Sequence, residues 1–365
     1  MATAAAPREA KIDGYPCPQC SAPTAFKPGT HDLWCDHCDT RVPIERSTTP
    51  ILTYDLFGKA AIAAVGAAQI TAGGREAICK NCGARSVMTK QAQRCAFCDS
   101  PMVAEVATDE HTIPPGAVLP FALEKKTAGD KFTKWMSSRW FAPGDLVARA
   151  RHDSLDGVYL PYWAYDTQTT TTYHGERGEH YYETETYTED GETKTRQVQR
   201  TRWWPASGSV QVPFNDLLVC GSPSLPEPMV RKLEPWDVAQ VEPFDGRYLA
   251  GFVAERYRID QSEAFKTAVE RMNPVIRTAI NRDIGGDEQR IGSMNINFDS
   301  AGFRHLMMPL WLTAFRYREK VFHVMVNART GFVQGERPWS VMKIVLFVMM
   351  IVAIIVGIVL LATHH

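Results

Sequence analysis

The sequence predicts an α+β protein: two small cysteine-rich modules, an antiparallel α+β body and one apolar C-terminal helix. Three observations carry this reading. Eight of the nine cysteines form four Cys-x-x-Cys knuckles before residue 100. Strand-like and helix-like runs then alternate through residues 113–337, and a long uncharged run lies near the end.

The knuckles pair into two sets: Cys17, Cys20, Cys35 and Cys38 (CPQC, CDHC), and Cys79, Cys82, Cys95 and Cys98 (CKNC, CAFC). Two residues between thiols let a tight turn aim both sulfurs at one ion, and a hairpin returns the second pair to close a tetrahedron. Competing readings are a disulfide framework or two redox motifs. The opening MATAAAPREAK has no apolar export run, and redox motifs need no partner at ribbon spacing. The expectation is two structural zinc ions in zinc ribbons at residues 11–46 and 75–104. Four thiolates fill each sphere, which leaves His31 and His37 facing solvent. Such segments are too poor in apolar residues to fold without metal. Between them, residues 47–74 read as a helical linker. Its apolar stretch at 51–72 is alanine-rich and broken by Asp55, Gly58, Lys59 and Gly66, so packing between the ribbons is favoured over membrane insertion.

A chain of 365 residues, 45% hydrophobic, can hold two or three domains with a real core. The net charge of −1 points to no partner, but local balance is informative. Residues 11–46 carry four basic and five acidic side chains, and residues 75–100 carry five and two. Thiolate sites add negative charge, so nucleic-acid binding through the ribbons is possible but not favoured. From Ile344 to Ala362 no residue is charged, and this run is roughly 28 Å long as a helix, matching a bilayer core. Arg337, Trp339 and Lys343 precede it. The positive-inside rule then predicts a C-terminal tail anchor at 344–362 in the inner (cytoplasmic) membrane, single-pass, with the N-terminal part in the cytoplasm.

Within the body, 113–245 reads as one α+β unit and 246–337 as a second. The first has a strand at Val118–Glu124, a helix over 127–140 and a strand at Val158–Thr172. A hairpin at 181–202 turns at Asp190-Gly191, setting Glu185 opposite Arg196, Tyr181 opposite Arg200 and Tyr187 opposite Lys194. Both its faces are polar, which predicts a solvated arm. The second unit has a strand at Tyr248–Ile259 and a helix over 261–283, capped by Asp260 and stopped by Gly285-Gly286. Strands follow at Ile291–Phe298, Leu306–Arg318 and Val321–Asn327. Pro161-Tyr162-Trp163 and Pro309-Leu310-Trp311 suggest a weak internal repeat. Helices are expected to cover one face of the sheets.

The chain carries no P-loop, H-E-x-x-H, G-x-S-x-G or G-x-G-x-x-G motif. Catalytic and cofactor-binding residues are therefore expected to be none, although a pocket assembled from distant residues stays open. Gly285-Gly286-Asp287-Glu288 reads as a helix stop rather than an acidic metal site, and Cys220 as a buried small hydrophobe.

The ordered set WFAPGDL (140–146), VYLPYWAYD (158–166), RWWPASG (202–208), LEPWD (233–237), RDIGGDEQRI (282–291), MPLWLTAFRYREK (308–320) and VNARTGFVQGERPWS (326–340), behind paired ribbons, resembles a bacterial family of membrane-anchored zinc-ribbon proteins. That family is often catalogued as primosomal-protein-N′-like or superfamily II helicase-related, and as TFIIB-type zinc-ribbon membrane proteins. The resemblance implies zinc held by the eight cysteines, a cytoplasmic body and a membrane anchor, with membrane-scaffold or membrane-stress proteins as partners. It does not carry motor activity over, because no helicase motif stands between the ribbons and the anchor. The expected function is a tail-anchored adaptor holding cytoplasmic proteins at the membrane; the alternative is a membrane-associated nucleic-acid binder.

Overall fold

The computed structural model describes residues 15–58, 75–88, 92–98, 100–103, 113–143, 155–189, 192–317 and 320–363. It is mixed α+β, with four α-helices among the described residues. In the first ribbon β1 (Tyr15–Pro16), β2 (Pro23–Phe26), β3 (Asp32–Trp34) and β4 (Arg41–Pro43) form a sequential antiparallel sheet. The chain then supplies β5 (Tyr54–Asp55); the helix expected between the ribbons falls mainly on 59–74, outside the described residues. In the second ribbon β6 (Arg75–Ile78) pairs with β7 (Arg85–Met88), and β8 (Ala92–Arg94) with β9 (Pro101–Val103).

The body follows as β10 (Ala117–Val118), α1 (Lys125–Ser137), β11 (Asp156–Glu189), β12 (Glu192–Cys220), α2 (Glu227–Arg231), β13 (Glu242–Pro243) and β14 (Val253–Glu255). Then come α3 (Gln261–Ile284), β15 (Glu288–Tyr317), β16 (Lys320–Asn327), β17 (Val333–Gly335) and α4 (Val341–Thr363). Two of the expected strands are shorter than the sequence pattern suggested. Val118–Glu124 contributes only β10, and Tyr248–Ile259 only β14, because Asp245 accepts from the Arg247 N–H and starts a 3-10 turn at Gly246–Leu249.

β11 and β15 are longer than expected, at 34 and 30 residues, and pair antiparallel from Asp156↔Leu312 to Gly178↔Glu288. The segments 113–245 and 246–337 thus contribute to one sheet. That sheet has a local two-fold arrangement centred where Leu160 faces Met308. β10 joins β15 in parallel at Leu306–Met307, and β14 joins β11 in parallel at Val158–Tyr159. Hairpin pairing with β12 begins at Tyr162, and with β16 at Leu310. Each Pro-x-Trp motif occupies the same place relative to these joints. The sheet is mostly antiparallel, with those two short parallel joints.

Both faces of the sheet are covered, not one. On one face Leu160, Tyr162, Met308 and Leu310 pack with the second ribbon and Trp236. On the other, Tyr159, Met307 and Trp311 pack with α1 and the first ribbon. Farther along, Trp163, Tyr165, Tyr173 and Phe303 pack under α3. Helix α3 presents Ala264, Ala268, Met272, Ile276, Ile280 and Ile284 as one buried stripe, the i,i+4 spacing that an amphipathic helix requires. Beyond Gly178 and Glu288 the ribbon is two-stranded. Residues 179–189 extend roughly 36 Å at the usual strand rise, and most of their side chains are exposed. The turn at 190–191 lies outside the described residues, but Glu185↔Arg196, Tyr181↔Arg200 and Tyr187↔Lys194 are the observed register.

Candidate metal centres

Each knuckle is built from the same backbone device. The Cys17 N–H donates to Ala22 O at 2.8 Å and the Ser21 N–H donates back to Cys17 O at 2.9 Å. The pattern repeats from Cys35 to Thr40 and Asp39, and from Cys79 to Ala84 and Gly83. The fifth residue of these three turns is left-handed: Ser21 at φ 61°, Asp39 at 55° and Gly83 at 72°. Asp tolerates that region and glycine adopts it freely, so the sequence after each knuckle suits the turn.

These turns bring Cys17, Cys20, Cys35 and Cys38 into one group and Cys79, Cys82, Cys95 and Cys98 into another, with all sulfurs of a group within 4.8 Å of one another. Closest pairs are Cys17–Cys38 and Cys20–Cys35 at 3.5 Å, Cys79–Cys98 at 3.5 Å and Cys82–Cys95 at 3.7 Å. A disulfide needs about 2.05 Å. Thiolates at about 2.3 Å from a common ion stand roughly 3.8 Å apart in a tetrahedron. The two groups therefore fit a metal ion each, with all four donors supplied by protein.

The local electrostatics split each group, lowering Cys17, Cys38 and Cys82 and raising Cys20, Cys79 and Cys95. Burial pushes the Cys17 thiol up, but N–H groups of Cys20 and Gln19 outweigh it and bring the pKa to about 6. Contact with Cys95, against desolvation and aided by the Ala84 N–H, lowers Cys82 to about 5. Neighbouring thiols hold Cys95 well above its ordinary value. A cation resolves this crowding by taking all four as thiolates, so its binding releases protons.

Neither histidine near the first cluster joins it. His37 is exposed, while His31 places Nδ1 at 3.1 Å from the Tyr248 hydroxyl and Nε2 at 2.6 Å from Arg46. Cys220 is buried and outside both groups. No local pattern signals the contacts that seat the clusters. The Thr40 hydroxyl lies 3.0 Å from the Cys38 sulfur and donates to Gln19 at 2.6 Å. At the second site His323 contacts the Phe97 carbonyl between Cys95 and Cys98. The buried Glu255 holds Ser224, which also accepts from Arg258 at 2.8 Å, beside the Cys82 turn.

Away from the cysteines, a hollow of about 600 Å³ is lined in part by Glu234, Pro235, Trp236 and Asp237 of the LEPWD segment. Its Arg271 is already engaged by Glu227, Glu234 and the Leu218 carbonyl. Asp287 and Glu288, from the GGDE turn, bind the backbone N–H and ring of His180 at 2.7 and 2.8 Å, which fastens the base of the arm to the end of α3. At the other end of the chain Val341–Ala362 is a helix long and apolar enough to cross a membrane, and none of it is buried.

Comparison with known proteins gives one informative relation. Over 229 residues, 62% of this chain, it is 26% identical to a Bacillus subtilis (strain 168) protein described as "Uncharacterized protein YdjG". The chain spans 64% of that relative's length. No family model matches, and no solved structure matches.

Proposed function

We propose that this chain is a tail-anchored, zinc-stabilised adaptor that holds cytoplasmic protein partners at the inner membrane. The observation that carries the proposal is the arrangement of its parts on one sheet. Two closed four-cysteine groups dock on opposite faces, a solvated hairpin leaves one end, and a lone apolar helix follows β17. Four protein thiolates per ion suit structural zinc, with no position left for water or substrate. The preceding Arg337 and Lys343 support a body on the cytoplasmic side, where thiolate sites persist.

The arm is the surface offered to a partner. Three of the four cations of 181–202 are matched by acids, Arg196 and Arg200 with Glu185 and Lys194 with Glu189 at 2.9 Å, while Arg202 lies over the Tyr181 ring at 5.0 Å. A phosphate backbone would have to break these pairs, which favours protein over nucleic acid. The reading also takes the two strand–helix–hairpin segments as copies of one unit, supported by the matching joints around Leu160 and Met308.

In-cell cross-linking of the intact chain tests the adaptor role. Specific protein adducts that disappear on deleting residues 183–198 are expected; recovery of the chain alone would remove the reading. Elemental analysis of the purified chain is expected to give two zinc ions, and one after Cys17→Ser.

A further inference from the structure

The apolar helix does not leave the body as a bare tether. The Ser340 N–H donates to the Phe141 carbonyl at 2.8 Å. The Lys343 ammonium donates to the Trp140 and Ala142 carbonyls at 3.1 and 2.8 Å. Phe347, inside the apolar run, stands edge-on to Phe141 at 5.3 Å and to Trp140 at 6.0 Å between ring centres. A ring that touches Phe347 shares its depth. Yet Trp140 is 70% exposed and Trp339 58%, an arrangement suited to the interfacial layer, where indoles accumulate.

Beside this loop lies a hollow of about 420 Å³, lined among others by Lys131, Lys134, Trp135, Ser138, Arg139 and Phe332. Arg139 lies over the Trp135 ring at 4.8 Å, and Arg337 over Trp339 at 4.6 Å. Among the described residues no carboxylate forms a salt bridge with Lys131, Lys134, Arg139, Arg337 or Lys343. The nearest acid in sequence to Arg337, Glu336, faces His323 at 3.9 Å, and Asp130 does not line the hollow. Burial and the Arg139 charge both press on Arg337. Several cations thus converge at the membrane-facing root with no carboxylate among the described residues in a salt bridge with them.

We propose that this corner is an anionic-lipid site. A phosphate-bearing headgroup of the same bilayer sits in the Lys131–Lys134–Arg139 hollow, while Trp140 and Trp339 enter the interface beside it. The occupant follows from continuity with the membrane helix and from charge. The site rests on the anchor reading above, and it gives the body a second membrane contact that fixes its tilt.

Full-length chain reconstituted in phosphatidylcholine vesicles, with or without phosphatidylglycerol, tests this through quenching of tryptophan emission by brominated acyl chains. Brominated phosphatidylglycerol is expected to quench more than brominated phosphatidylcholine at equal fraction. The preference should fall about fivefold for each of Lys131→Gln and Lys134→Gln, the equivalent of about 1 kcal/mol per surface cation. Trp140→Phe should remove much of the lipid-dependent signal, with retained metal content verifying the fold. Equal quenching by both lipids, or no effect of Trp140→Phe, overturns the proposal. So does binding of inorganic phosphate in pure phosphatidylcholine vesicles without any lipid preference, which makes the hollow a soluble-anion site. Alkaline extraction separates the two readings. Release of the chain overturns both, whereas a retained chain with no lipid preference overturns this one alone.

Discussion

His305 is buried between Trp163 and Tyr257, with ring centres 4.8 and 5.3 Å away, and its Nδ1–H donates to the Ile113 carbonyl at 2.9 Å. Among the described residues Nε2 has no partner, and burial holds the pKa down at about 4, against an ordinary 6.5, even though backbone carbonyls favour the charged form. The folded state therefore requires a neutral ring. Between about pH 6.5 and pH 4 the unfolded chain binds the proton first, so stability falls as pH falls through that window. At about 1.4 kcal/mol per unit the loss is of order 3 kcal/mol. Denaturant unfolding of the wild type and of His305→Gln, followed from neutral pH to about pH 4, should show their stability difference shrinking. Parallel curves would mean that His305 does not titrate on unfolding.

At the level of elements, the extent and caps of α3 were legible. Asp260 accepts from the Ser262 and Glu263 N–H groups at 2.9 and 2.8 Å, Gly285 ends the helix at φ 65°, and the six-residue stripe is buried as the periodicity implied. Met272→Ala should cost about 2–5 kcal/mol by leaving a cavity under the helix. Asp260→Ala should cost about 1 kcal/mol through the lost cap. Both are measurable by denaturant midpoint, and a larger loss for the cap than for the core residue would contradict this packing. The hairpin register was legible because a two-residue turn fixes every cross-strand pair. The full length of β11 and β15 was not, because Gly175 and Gly178 in the one and Asp299, Ser300 and Gly302 in the other read as strand breaks. The buried threonines inside the expected strand are satisfied at long range: Thr169 donates to the Val212 carbonyl at 2.8 Å, a partner 43 residues away. The knuckle spacing revealed the cysteine groups because it is a local code. The contacts of His31 with Tyr248 and of His323 with Phe97 span more than 200 residues and leave no local trace. Since the arm beyond Gly178 touches no core, deleting residues 183–198 should leave the melting transition within a degree or two of its original position. A large drop would mean that the arm is structural.

Across the whole molecule the two cysteine groups are unequal. Cys17 and Cys35 are buried within the first ribbon, which meets the body through Phe26, Leu33 and Ile44 against Tyr248 and Leu249. Cys79, Cys95 and Cys98 belong to the same cluster as Leu160, Tyr162, Met308 and Met325, and β7 extends the central sheet through β14. Metal binding energy at the second site is thus coupled to the core of the body, whereas the first site stabilises mainly its own sheet. Chelator added to the intact chain should act in two stages. Loss of the first ion should open residues 15–46 to protease while the near-ultraviolet signal of buried Trp163 and Tyr162 persists. Loss of the second should collapse that signal and lower the main unfolding midpoint. Cys17→Ser and Cys95→Ser should reproduce the stages separately, each losing one ion, with only the latter destabilising the body. Equal effects of the two substitutions on the core transition would show that the second cluster is an appendage, despite the shared packing around Leu160.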